Sequence, residues 1–156
     1  MINLDYKTFL DRWFSHIDAV GIDYSSFKLD HLGYSASSKE DYELVKNEFL
    51  RFSTLQKEPL VSGRRVGVFK LNTPWLYKDH SINALELVEP RIGESSITDF
   101  EHAKFTVNLP LESLAEKYPH LPWDQESLNR PEFPRLKLVF PDKTEVKFNC
   151  EPILAS

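Results

Sequence analysis

Cysteine is almost absent from this 156-residue sequence, and three further features are missing. The single cysteine, Cys150, excludes an internal disulfide framework. No run of apolar residues approaches the length of about 18 to 20 that a membrane-spanning helix needs. The N-terminus lacks the basic start and apolar stretch of a signal peptide. The formal net charge of −5 provides no basic surplus for nucleic-acid binding. These absences predict a cytoplasmic protein that binds neither membranes nor nucleic acid.

The composition and length of the chain are those of a globular protein. Apolar residues make up 41% and charged residues 28% of the sequence. A chain of 156 residues suits a single domain, 1–156, with a core of ordinary size. Apolar residues recur at three- and four-residue spacing over residues 4–20, and Gly21 follows them. This pattern predicts an amphipathic N-terminal helix.

The rest of the chain alternates between strand and helix patterns. Short runs of β-branched, aromatic and aliphatic residues predict strands, and Ser37 or Ser38 is a suitable N-cap for a helix. Four prolines predict an irregular loop over residues 119–134, which is either a binding loop or a simple connection. The predicted elements are a strand at 27–34, a helix after residue 38, a hairpin or strand at 60–71, a loop at 72–79, strands at 82–88 and 100–107, a helix at 111–118, and strands at 135–140 and 144–149.

Two segments of the sequence resemble each other. Asp30-His31 and Glu101-His102 each consist of an acid and a histidine near the start of a predicted strand, followed by an aromatic and a hydroxyl residue. Each strand leads to a helix and then to further strands. This repeat predicts an α+β fold of two paired βαβββ modules, at about 27–89 and 100–150, behind the N-terminal helix.

The strand alternation brings three metal-ligating residues together. Because side chains alternate between the two faces of a strand, Glu86 and His102 lie opposite the apolar faces of their strands. The repeat places His31 in the position equivalent to His102. A metal ion at these three residues is one interpretation. In the alternative, the histidines are ordinary half-buried residues, and Glu86 pairs with a lysine, Lys104 or Lys147.

The ordered set of these motifs resembles a known family. The set comprises Asp30-His31, Gly63-Arg64 with Val68-Phe69-Lys70-Leu71, Glu86-Leu87 with Pro90, Glu101-His102, and Asp142-Lys143 with Val146-Lys147-Phe148. It resembles the YecM-like branch of the vicinal oxygen chelate superfamily, the group of glyoxalase I, extradiol dioxygenases and fosfomycin-resistance proteins. The resemblance implies paired βαβββ modules. It also implies a divalent metal ion (Zn, Fe, Mn or Ni) at His31, Glu86 and His102.

The sequence departs from the superfamily pattern at the fourth metal ligand. Lys147 stands where a carboxylate is usual, and a protonated lysine has no lone pair to donate. Glu145 and Asn149, on the same strand face, are candidate substitutes. A set of two histidines and one carboxylate is also typical of iron sites that leave positions open for substrate.

The basic residues near this site suggest an anionic ligand. Lys147, Arg64 (or its neighbour Arg65) and Lys70 are candidate ligand-binding residues. The alternative is that they are exposed strand charges or, for Lys147, an ion-pair partner of Glu86. Strand alternation predicts that Asp30 and Glu101 point to the opposite face and are solvated; only a bulge would turn them toward the histidines.

The resemblance implies a metal-dependent isomerase, lyase or oxygenase that acts on a small metabolite, and the basic residues near the site indicate that this metabolite is an anion. The alternative is a non-catalytic ligand-binding module that retains the fold. The two modules can pair within one chain or between two chains, so the sequence is compatible with both a monomer and a homodimer.

Overall fold

The computed structural model of the protein describes residues 2–131 and 133–155, and most of its strands form one mixed sheet. The elements in chain order are α1 (Tyr6–Val20), β1 (Lys28–Ser35), α2 (Lys39–Phe49), β2 (Ser53–Lys57), β3 (Leu60–Val61), β4 (Arg64–Tyr77), β5 (His80–Val88), β6 (Asp99–Thr106), α3 (Leu111–Lys117), β7 (Leu136–Val139), β8 (Glu145–Asn149) and a 3₁₀ helix at Ile153–Ala155. The predicted α+β class is confirmed.

Local capping residues define the ends of the first two helices. Asp5 caps α1 because its side chain accepts a hydrogen bond from the backbone N–H of Thr8. Gly21 ends α1 in the left-handed conformation, with φ of 78°. Ser38 caps α2 by accepting from the backbone N–H of Asp41, so of the two predicted caps it is the second that acts. No helix in the described ranges has the length and apolar character of a membrane span.

The sheet consists of two halves that meet at the antiparallel pair β1–β6. The strand order is β2-β4-β5-β1-β6-β8-β7, and β3 pairs with β4. In each half, the first strand pairs in parallel with the last: β1 with β5, and β6 with β8. Glu86 faces the residue two positions after His31, and Lys147 faces the residue two positions after His102. Glu86 and Lys147 are therefore equivalent positions of the two modules, and each lies on the last strand of its module, as the repeat predicted.

The second module is shorter than predicted. Among the residues that the structure describes after α3, the only strands are β7 and β8, and the place of a third strand is taken by an isolated bridge between Asp124 and Lys137. Proline has no backbone N–H to donate to a sheet ladder. The prolines of residues 119–134 therefore prevent a continuous strand here, and the segment is βαββ rather than βαβββ.

The first module contains more strand than the sequence predicted. Strand β2 was not predicted, and it pairs with β4 at the edge of the sheet. The loop predicted at 72–79 is also wrong, because β4 continues to Tyr77. The pairing of β4 with β5 is interrupted between Lys70 and Trp75 and then resumes. This irregularity accommodates Pro74 within one long strand.

One face of the sheet packs against the helices to form the core. The indole N–H of Trp13 on α1 donates a hydrogen bond to the backbone oxygen of Glu145, and its ring contacts Phe105. The core includes the predicted apolar faces of β5 and β6, namely Leu85, Leu87, Ala103, Phe105 and Val107. The opposite face is left to line a cavity.

Candidate metal centre

The face of the sheet opposite the core lines a cavity of about 190 Å³. His31, Glu86 and His102 all contribute to its wall. They come from the two central strands and from β5, so both modules supply ligand atoms. The predicted convergence of the three side chains is therefore present in the structure.

The three side chains form a compact triad. One ligand atom from each of His31, Glu86 and His102 lies within 4.8 Å of the other two. Glu86 lies between the imidazoles: its Oε1 is 3.2 Å from Nε2 of His102, and its Oε2 is 3.9 Å from Nε2 of His31. The Nε2 atom of His102 is nevertheless buried without a hydrogen-bond partner in the described part of the chain. A buried polar atom without a partner is costly unless something binds it.

A β-bulge stands beside each histidine. The pairing of β1 with β6 slips by one residue at Asp30 and again at Glu101. Asp30 Oδ2 consequently lies 2.8 Å from Nδ1 of His31, and Glu101 Oε1 lies 3.1 Å from Nδ1 of His102. The prediction that both acids point away from the site is wrong, because strand alternation does not hold across a bulge. The acid–histidine pair repeated in both modules was the signal of this role.

The two acids determine which imidazole nitrogen is free. Burial alone would raise the pKa of Asp30, but the hydrogen bond from His31 and the charges of His31 and Lys104 lower that pKa to about 2. The pKa of Glu101 is also lowered, by His102 and Lys147 against the effect of burial. Both carboxylates are ionised at neutral pH, so each Nδ1–H must donate to its acid. The Nε2 lone pairs of both histidines then point toward Glu86, as metal ligation requires.

The two histidines differ in their affinity for a proton. Burial lowers the pKa of His31, although Asp30 and Glu86 oppose that effect. Burial and the charge of Lys147 act in the same direction on His102, but its hydrogen bond to Glu101 and the nearby negative charge of Glu86 outweigh them and raise its pKa. Burial opposes the charged form of Glu86, yet the two histidines hold its pKa below the ordinary value. A divalent cation would favour the same ionised carboxylate of Glu86. At His102 it would also compete with a proton for the lone pair of Nε2.

The absence of a side chain at Gly33 makes room for His102. Gly33 pairs with His102 across the β1–β6 ladder, and the imidazole covers its Cα. A Cβ atom at Gly33 would lie 1.9 Å from Cε1 of His102. The position of this ligand therefore depends on a glycine in the neighbouring strand.

Among the described residues, neither Lys104 nor Lys147 forms an ion pair with Glu86 at 4.0 Å or less. The Lys104 ammonium lies 3.1 Å from Asp30 Oδ2 and donates to Asn149 and to the backbone oxygen of Glu151. Within the described ranges, Lys147 forms no ion pair at 4.0 Å or less. The donor set, the free Nε2 atom and the arrangement of the tautomers together fit a divalent metal ion.

The candidate ligand-binding cations are distributed unequally around the site. Lys147 and Arg64 both line the cavity. Arg65 instead forms ion pairs with acids outside the cavity, including Glu89 at 2.6 Å, so the two adjacent arginines have different environments. Lys70 is exposed on β4 and does not line the cavity, so it is not in a position to bind a ligand there.

Sequence reasoning missed part of the cavity wall. Arg91 lies three residues after the end of β5, and Arg130 and Phe133 belong to the proline-rich segment 119–134. That segment is therefore a wall of the cavity, which agrees with the binding-loop alternative. No periodicity marks such residues, because their placement depends on how the loops fold back over the sheet.

Comparisons with known proteins agree with this architecture. The family model described as YecM protein matches residues 1–151. No match was found among curated proteins. A structural-genomics protein is 21% identical, with 90% of this chain and 83% of that chain covered and a TM-score of 0.67.

Two further solved structures have lower identity. A methylmalonyl-CoA epimerase variant from Streptomyces coelicolor, in complex with 2-nitronate-propionyl-CoA, is 13% identical, with 80% of this chain and 96% of that chain covered and a TM-score of 0.52. A candidate dioxygenase from Bacillus subtilis is 13% identical, with 81% of this chain and 41% of that chain covered and a TM-score of 0.52. Both belong to the vicinal oxygen chelate superfamily, so the predicted resemblance is confirmed at the level of the fold.

Proposed function

Because the chain belongs to the YecM family, and because its triad fits a metal ion, we propose that it is a divalent-metal-dependent enzyme acting on a small oxygenated anion. The observation that carries the proposal is the buried, unbonded Nε2 of His102, which converges with Glu86 and His31 at the cavity wall. The reaction class stays open among isomerase, lyase and oxygenase, since one fold of this kind supports all three.

Each residue of the site has a role that its contacts support. His31, Glu86 and His102 would hold the ion, which when bound supplies Lewis acidity toward oxygen atoms of a substrate. Asp30 and Glu101 hold the Nδ1 protons of the two histidines and so fix the orientation of both rings. Lys147 and Arg64 would attract an anionic group into the cavity and orient it.

Superfamily neighbours support a small-molecule substrate. The epimerase structures include one in complex with methylmalonyl-CoA and another with a nitronate analogue of a CoA ester. A cavity of about 190 Å³ in the present chain suits a small molecule or one end of a larger one. The cations of the wall favour an acid, although the chain as a whole carries a net charge of −5.

The test is the metal content of protein produced without a metal-affinity tag, measured by elemental mass spectrometry. We expect near-stoichiometric divalent metal in the wild type and its loss in His102→Ala and His31→Ala. His120→Ala is the matched control, because His120 is an exposed loop histidine outside the cavity. Wild-type protein that stays empty after metal addition, or equal metal content in all variants, would contradict the proposal.

A second candidate function follows from Lys147. It occupies the position equivalent to Glu86 in the second module and cannot ligate while protonated. A ligand-binding module without catalysis would need the cations of the wall but not the metal ion. An anion that binds equally well to wild type and to His102→Ala would favour this candidate over the enzyme.

A further inference from the structure

Two pairs of cations line the cavity on opposite sides of the triad. The first-module pair is Arg64, at the start of β4, and Arg91, which follows β5. The second-module pair is Lys147 on β8 and Arg135, just before β7. Strands β4 and β5 lie on one side of the central β1–β6 pair, and β8 and β7 lie on the other. The cavity therefore has a cationic wall at each flank, with the triad between them.

The sheet register holds the second-module pair together. Lys147 pairs with Lys137 on β7, and Arg135 stands two residues before Lys137. Residues two apart in a strand share a face, and diagonal neighbours on one face are about 7–8 Å apart. Lys137 Nζ forms ion pairs with Asp124 Oδ2 at 3.4 Å and with Glu145 Oε2 at 3.7 Å. The charges of Lys147 and Arg135 are left facing the cavity.

The cations of both pairs lack sufficient acidic partners. Among the residues that the structure describes, Arg64, Lys147 and Arg135 form no ion pair, and the only such partner of Arg91 is the exposed Glu94. The Nε atom of Arg64 is also buried without a hydrogen bond in that part of the chain. Like charges placed together are unfavourable unless an anion lies between them. In a chain of net charge −5, such an arrangement is not explained by a general surplus of basic residues.

The electrostatics of the two pairs agree with this geometry. Burial lowers the pKa of Arg64, and the charge of Arg91 lowers it further, although the charges of Glu101, Glu94 and Glu86 oppose both. Burial lowers the pKa of Lys147, and Arg135 acts in the same direction, although Glu86 opposes both. Each pair thus carries an internal repulsion that a bound anion would relieve.

We propose that the cavity binds a small acid with two anionic groups, one at each cation pair, and with its middle against the triad. The first-module pair holds one group and the second-module pair the other, since arginine donates to carboxylates in a bidentate fashion. Val66, Val68 and Val88, on β4 and β5, line the first-module flank of the same cavity and offer an apolar wall to the carbon chain of the ligand. These contacts favour an aliphatic dicarboxylate. The inference deepens the proposed function by naming its substrate class.

The test compares dicarboxylates with matched monocarboxylates. The probes are malonate, succinate and glutarate, each set against the acid in which a methyl group replaces one carboxylate: propionate, butyrate and valerate. Affinities are measured by titration calorimetry on the protein as purified, with its metal content recorded, in buffer free of phosphate and carboxylates. We expect at least one dicarboxylate to bind about tenfold more tightly than its monocarboxylate, because it gains a second charge-assisted contact.

Charge-removing variants locate the two groups. Arg64→Gln and Lys147→Met are each expected to weaken the preferred dicarboxylate about tenfold. A monocarboxylate can occupy only one pair, so one of the two variants should leave its affinity unchanged. Arg135→Gln probes the second-module pair again if Lys147→Met does not fold. Lys70→Gln is the matched control, since it removes an exposed cation outside the cavity and should change neither affinity.

Three outcomes would overturn the inference: no dicarboxylate preference, equal loss of both ligand types in both variants, or inorganic phosphate binding as tightly as the best dicarboxylate. The last two indicate a single anion site. Tighter binding of 2-phosphoglycolate, with the same response to both variants, would retain the two-group site and assign it to phosphorylated acids.

The results also distinguish this inference from the proposed function. A protein that binds dicarboxylates but no divalent metal would refute the proposed function alone. A protein that binds a divalent metal but shows no preference for dicarboxylates would refute this inference alone.

Discussion

The clearest single-atom test of the site is Gly33→Ala. The added Cβ would lie 1.9, 2.2 and 2.3 Å from Cε1, Nδ1 and Nε2 of His102. Ordinary contact between carbon atoms is about 3.5 Å, so the ring must move by about 1.6 Å (3.5 − 1.9) to escape. Metal–nitrogen distances tolerate only about 0.2 Å. We therefore expect the variant to fold but to lose most of its bound metal.

The change in the free energy of unfolding shows whether Gly33→Ala acts through its clash with His102 or through the backbone. Gly33 is not among the described glycines with positive φ, so alanine does not strain the backbone there. We expect Gly33→Ala to lower the free energy of unfolding of the wild type by about 1–3 kcal/mol through overpacking. In a His102→Ala background the clash with the imidazole is absent, and we expect the same change to stabilise by about 0.4–1 kcal/mol through the unfolded chain.

The assay is a double-mutant cycle by urea unfolding, with metal content measured in parallel on each protein. The coupling free energy between Gly33 and His102 is the change in the double variant minus the sum of the changes in the two single variants. Equal stability changes in both backgrounds would refute the close approach of the two residues. Wild-type metal content in Gly33→Ala would refute the role of His102 as a ligand.

Three further predictions concern the residues behind the triad. Glu101→Gln should lower metal affinity about 10- to 100-fold in chelator competition, because the orientation of His102 is lost; unchanged affinity would exclude that role. The lowered pKa of Asp30 contributes stability above its unfolded value of 3.8, and this contribution is lost as the pH falls toward about 2. Between about pH 5 and pH 2, wild type should therefore lose about 2 kcal/mol more unfolding free energy than Asp30→Asn, and parallel pH curves would contradict this. Lys104→Met leaves Asp30 without its buried cation and should cost about 3–5 kcal/mol in urea unfolding, whereas a loss below about 1 kcal/mol would show that the pair is not effectively buried.

The predicted helices and most strands are present because their signals are local. The apolar spacing of α1, the cap at Ser38 and the alternation along β5 and β6 each lie within about 15 residues of sequence. The strand β2 and the extension of β4 past Pro74 were missed for the opposite reason. They exist because a neighbouring strand supplies the hydrogen bonds, and the sequence of a segment does not record its neighbour.

The sequence by itself determined the module repeat and, through it, the triad. Two acid–histidine pairs at equivalent positions, with Glu86 on a neighbouring strand face, predict the convergence of His31, Glu86 and His102, because alternation and repetition are properties of a single chain read in order. The repeat predicted a partner of Glu86 on the last strand of the second module, the superfamily resemblance placed Lys147 there, and the register shows that Glu86 and Lys147 are equivalent.

Only the tertiary structure decided how the triad is supported and what surrounds it. The bulges that turn Asp30 and Glu101 toward the histidines arise from the pairing of β1 with β6. The approach of His102 to Gly33 and the grouping of Arg64 with Arg91 likewise depend on segments far apart in sequence. A one-residue slip between strands reverses the face of a side chain, and such slips are fixed by packing between elements rather than by the residues of either strand.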